Sequence, residues 1–157
     1  MSNNISIYLI EEIFFPTSLQ GSDVEKHYKL TNVLKNQGNM IFKSDIGMLT
    51  FIDTLKVIDD LIRGAGFLWV FALNNSPNKI LGSQPNCDSF GYFSSEQAKD
   101  LYLCLEEIKN IKTESAQPFI DRYNATNNEM FDDLFSVMYM ASKAANEKAC
   151  AIAVLYE

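Results

Sequence analysis

A chain of 157 residues, 47% of them hydrophobic and 21% charged, can bury a real core and fits one globular domain over 1–157. Thirteen lysines and arginines stand against 20 aspartates and glutamates, a formal charge of −7 that would repel a nucleic-acid phosphate backbone and speed encounter with a basic protein surface. No apolar run is long enough to span a bilayer and the N-terminal stretch has no basic leader region, so no membrane association and a cytoplasmic location are expected.

The first predicted element is a strand over 5–10, with Ile5, Ile7 and Leu9 on one face and Ser6, Tyr8 and Ile10 on the other. Glu11 and Glu12 follow it. Neighbouring carboxylates on extended chain point to opposite faces, so they read as solvated charge. Phe14, Phe15 and Pro16 then make an apolar loop entry. Ser22 and Glu25 have the spacing of a capping box and predict a helix over 23–35, with Gly38 as its stop. Its apolar positions are Val24, Tyr28 and Leu34, with Leu30 and Val33 near the same side. His27, the only histidine, falls in this helix and has no nucleophile motif to accompany it, so a structural role is expected.

A short strand over 40–42 comes next, then a helix over 45–63 that Asp45 would cap and that Ile46, Leu49, Ile52, Leu55, Ile58 and Ile62 would pack. Gly64 and Gly66 close it and open an uninterrupted apolar run over 67–73, which reads as a central strand. A phosphate-binding loop would follow a strand and open a helix; here the order is reversed, which argues against a nucleotide site. Residues 74–93 read as a long irregular loop. Ser94 and Gln97 then form a second capping box. The helix they open turns Ala98, Leu101, Tyr102, Leu105 and Ile108 to one side, and Glu96, Lys99, Glu106 and Lys109 to a solvated one.

A third capping box, Thr126 with Glu129, opens the last helix, where Phe131, Leu134, Phe135, Met138, Ala141 and Ala145 share a side. Asn146, Glu147 and Lys148 break that pattern. The run over 149–156 carries no charge and suits a strand covered on both faces, with Ile152 and Val154 as its β-branched members. Together these elements predict an α+β fold, a small and mostly buried sheet packed against several amphipathic helices. Cys87, Cys104 and Cys150 form no CxxC pair and have one histidine to join them, so reduced structural thiols are expected and neither a metal site nor a cofactor.

Ile80-Leu81-Gly82, then Gly91-Tyr92-Phe93-Ser94-Ser95-Glu96-Gln97 opening a helix, then a late amphipathic helix running into a terminal strand resembles the layout of the bacterial YfbM-like proteins of unknown function. The resemblance covers about 80–156; the helix over 45–63 lacks the tryptophan and histidine that the family tends to carry there. It implies a small cytoplasmic bacterial α+β protein and transfers no catalytic residue.

Two functional classes remain. The first is a non-enzymatic acidic protein-binding module, of which a bacterial immunity or antitoxin protein blocking a basic toxin is one form; the acidic charge and the absence of a catalytic set motivate it. Its candidate contact residues are carboxylates beside aromatic groups: Asp88, Phe90 and Tyr92 in the long loop, and Asp132 and Asp133 early in the last helix. The second is an enzyme or ligand-binding protein acting on a small molecule, with 74–93 as a lid and Asp88, His27 or the Glu11 and Glu12 pair as acid or base.

Overall fold

A computed structural model of the chain describes residues 4–16, 19–45, 56, 90–110 and 130–156. Strand β1 (Ile5–Ile10) is followed by helix α1 (Asp23–Gln37) and strand β2 (Asn39–Ser44). Strand β3 (Phe90–Phe93), helix α2 (Ser95–Asn110), helix α3 (Met130–Lys148) and strand β4 (Ala151–Tyr156) complete the described elements. Of the predicted helix over 45–63, only Asp45 and Lys56 are described, Lys56 as helical. The strand expected over 67–73 and the capping box at 126 and 129 lie outside the described residues.

The four strands form an antiparallel sheet in the order β2-β1-β4-β3, with helices on both faces, so the chain has an α+β architecture. Strand β4 sits between β1 and β3, and the absence of charge along it now has a cause. Ile152 and Val154 project into one core with Ile5, Ile7, Leu9 and Phe93, which α2 covers through Ala98, Leu101, Leu105 and Ile108 and α3 through Leu134, Phe135, Met138, Ala141 and Ala145. Ala151, Ala153 and Leu155 project into the opposite core, closed by Leu30 and Leu34 of α1 together with Phe15. A strand lined on both sides by apolar neighbours has no position where a charge could remain hydrated. Residue sizes match across the sheet: Ala153 lies between Tyr8 on β1 and Tyr92 on β3, so a small side chain leaves room for two large rings.

The described ends of the predicted helices match their capping chemistry. In α1 the Ser22 hydroxyl accepts from the Glu25 backbone N–H at 3.3 Å, and at the other end the Gly38 N–H donates to the Leu34 carbonyl. In α2 the box is reciprocal: the Gln97 N–H donates to Ser94 Oγ at 3.1 Å, and the Ser94 N–H donates to Gln97 Oε1 at 2.9 Å.

Three expectations are corrected. Val24 and Tyr28 do not pack inward but are 80% and 67% exposed. Leu30 and Leu34 are buried and Val33 half-buried, as expected, but Thr31 and the half-buried His27 take the inward positions that the sequence reading gave to Val24 and Tyr28. The loop expected over 74–93 ends as a strand, because Phe90–Phe93 pairs with β4, Gly91 standing opposite Val154. Finally, Ala149 belongs to a helix ending rather than to the strand: its φ of 53° is left-handed, its N–H donates to the Asn146 carbonyl, and the Cys150 N–H donates to the Ala145 carbonyl. This is a Schellman ending with alanine where glycine is usual, and it turns the chain from α3 directly into β4.

Candidate functional site

The end of β1 and the start of α2 meet at one corner of the molecule. Leaving Ile10, the chain makes a single 3-10 turn over Glu12–Phe14, closed by the Phe14 N–H on the Glu11 carbonyl and the Phe15 N–H on the Glu12 carbonyl, each at 3.0 Å. Glu12 is not simply solvated, as the sequence suggested. Its Oε1 accepts from the backbone N–H of Ser95, adding a third cap to an α2 N-terminus that Ser94 and Gln97 already serve. Glu11 remains exposed. At the other end of the turn Phe15 is buried and its ring stacks on Tyr92, with centroids 4.1 Å apart and planes 27° apart.

The turn is thus held at a carboxylate and at an aromatic ring, and between these anchors Ile13 and Phe14 project outward, 83% and 44% exposed. Large apolar side chains that an anchored segment leaves in contact with water offer area to another surface. Reading the sequence as an apolar loop entry identified Phe14 but could not separate it from Phe15, because neighbouring identical rings give no local sign of which one turns inward.

The sequence-derived contact residues fare differently from one another. Asp88 lies outside the described residues. Phe90 and Asp132 are placed only through their backbones, in β3 and α3. Asp133 is exposed on α3. Tyr92 is corrected: at 1% exposure it belongs to the core beneath Phe15, where burial and, secondarily, the charge of Glu12 push its phenol pKa up. It offers no outer surface to a partner.

The candidates for acid–base work also separate. His27 lies half-buried on α1 with Nε2 enclosed and unpartnered, while its carbonyl accepts from Thr31 Oγ1 at 2.8 Å. Cys150 is buried just before β4, and desolvation, then the Glu11 charge, push its thiol pKa up, the opposite of what a nucleophile needs. Among the described residues no three His, Cys, Asp or Glu side chains group as metal ligands, and no helix is long and apolar enough to cross a membrane.

A second polar cluster joins α2 to α3. Glu106 Oε1 accepts from the hydroxyls of Tyr139 at 2.6 Å and Tyr102 at 2.7 Å; the two rings lie 5.8 Å apart, and Lys109 Nζ stands 4.6 Å from the centre of the Tyr139 ring. These bonds, Tyr139 first, hold the Glu106 carboxyl below the usual range, with Lys109 and Lys143 adding to the effect. The same carboxylate pushes the Tyr102 phenol up to about 12. The sequence placed Glu106 on a solvated face because Tyr139 is remote along the chain. The arrangement ties two helices together through one carboxylate.

No family model, curated protein or solved structure matches the chain. The stretch Gly91 to Gln97 is the junction of β3 with α2, where the Glu12 and Phe15 anchors attach.

Proposed function

We propose that the protein is a non-enzymatic, acidic protein-binding module, and that the pinned turn carrying Glu11, Ile13 and Phe14 is its contact. The observation that carries this reading is the display of Ile13 and Phe14 from a segment fixed at Glu12 and Phe15. Apolar anchors presented without freedom to collapse lose little entropy on binding, and such anchors dominate interface energies. The partner that suits them has an apolar recess with a basic rim, since Glu11 borders the pair and the chain carries −7 overall. Inhibition of a basic toxin by an immunity or antitoxin protein is one form of such an interaction, and kinship with YfbM-like proteins would place it in a bacterial cytoplasm. Asp133, exposed on α3, and Asp132 next to it in the sequence add to the negative charge and would act mainly on the rate of encounter.

The test is capture from a lysate of the source cells with the wild type and with an Ile13→Asp, Phe14→Ser variant of unchanged circular dichroism. A basic protein retained by the wild type, lost with the variant and released as salt rises would support the proposal, because exposed charges are screened over about 8–10 Å at 0.1–0.15 M salt. Equal retention by both proteins would remove the turn from the interface.

A further inference from the structure

On the α1 side of the sheet, between the end of that helix and the outer strand β2, lies a groove of about 300 Å³ lined by Ser6, Tyr8, Lys35, Gly38, Met40 and Lys43. Its floor is β1 and one wall is β2: Ser6 stands opposite Lys43 and Tyr8 opposite Met40, while a bulge between the Ile7 and Tyr8 positions keeps Met40 and Lys43 on the same face. The other wall is the last turn of α1, through Lys35 and the chain reversal at Gly38. Taken singly, Lys35 is a basic residue suited to a helix C-terminus and Lys43 a charge on an outer strand. Together they converge on one concavity, and none of the described residues lining it is acidic, although the whole chain is strongly so. Ser6 adds a hydroxyl at a position otherwise 2% exposed, on a strand whose neighbouring positions are apolar. Met40, 49% exposed, supplies an apolar flank.

We propose that this groove binds a small molecule bearing an anionic oxygen group, phosphate or carboxylate, beside an apolar portion. The lysines supply charge-assisted donors and Ser6 a neutral one, Met40 meets the apolar part, and the volume falls at the lower end of small-ligand sites, about 300–1,000 Å³. Gly38 keeps the passage between helix and strand narrow, since a β-carbon there would come within 3.2 Å of the Tyr8 ring.

The experiment is an amide-resolved NMR titration of the full chain at constant ionic strength with phenyl phosphate, benzoate and, as the cationic counterpart, benzylamine. Saturable shifts centred on Ser6, Tyr8, Gly38 and Lys43 are expected, with an apparent Kd of about 1 mM or tighter. Saturation by phenyl phosphate alone would assign a phosphate ligand, by benzoate alone a carboxylate, and by both the shared anionic group. Lys43→Gln and Lys35→Gln should each weaken binding about tenfold or more, and Lys43→Arg should restore much of it. Both positions are exposed, so the dispersed spectrum of each variant serves as its folding control. The proposal is overturned if no anionic probe saturates, if benzylamine binds as well as they do, or if the lysine variants bind unchanged.

Discussion

Ala149 shows how one residue can fit the packing of a fold while opposing its backbone. Its left-handed φ of 53° ends α3, and for a residue with a β-carbon that conformation costs about 1–2 kcal/mol. Ala149→Gly should therefore stabilise the protein, by about 0.5–1 kcal/mol once the added freedom of the unfolded chain is counted, which urea unfolding can measure. Gly38 presents the opposite case. Its φ is ordinary, yet a β-carbon would lie 2.6 Å from the Leu34 carbonyl oxygen, an atom that cannot move without opening the helix end. Gly38→Ala should cost about 1–3 kcal/mol by the same measurement, although nothing in its dihedral angles demands glycine. The sequence identified Gly38 as a stop from its type and position, but the Leu34 and Tyr8 contacts that exclude a side chain appear only once α1 is laid on the sheet. Ala149 was hidden for a related reason: its apolar character continued the β4 run, and no glycine marked the turn.

Element by element, short-range chemistry was the most legible. The capping patterns at Ser22 and Ser94 correctly located two helix starts, because partners three residues apart are fixed by the helix itself. The inward faces of α2 and α3 followed from their spacing, and Leu134 is 1% exposed, so Leu134→Ala should cost about 2–4 kcal/mol in unfolding experiments through lost burial and the cavity left behind. In α1 the same method selected Val24 and Tyr28, since a helix with few large apolar residues admits more than one stripe and the sheet decides between them. Contacts between elements were not legible at all. Glu106 is the clearest instance, and pH exposes its role. Its folded pKa is depressed, so the stability it confers is present above the ordinary unfolded value of 4.5 and is lost as pH falls through the lower folded value. A melting-temperature profile across that acid range should fall more steeply for the wild type than for Glu106→Gln. Parallel profiles would show that the two tyrosine bonds contribute nothing net.

For the molecule as a whole, the absence of charge from β4 marked the centre of the sheet, because a strand covered on both sides allows no polar face. The candidate site was far less legible. Tyr92 looked available beside Asp88 and Phe90 in the sequence, but it fills the core, while Ile13 and Phe14 are exposed on a turn whose position depends on a hydrogen bond from α2 and a stacking partner on β3. No local pattern encodes such long-range anchors. If the acidic surface steers encounter, Asp132→Lys with Asp133→Lys should slow association and flatten its salt dependence, at a helix cost of about 0.3–1 kcal/mol for each lysine.

The most direct measurement of whether the turn after β1 is a contact surface is site-specific photo-crosslinking in the source cells. A benzophenone amino acid placed at Ile13 should yield a discrete adduct with one basic protein, while the same group at Lys99, exposed on α2, should not. No adduct at Ile13, or the same adducts from both positions, would contradict the assignment of this turn as the binding surface.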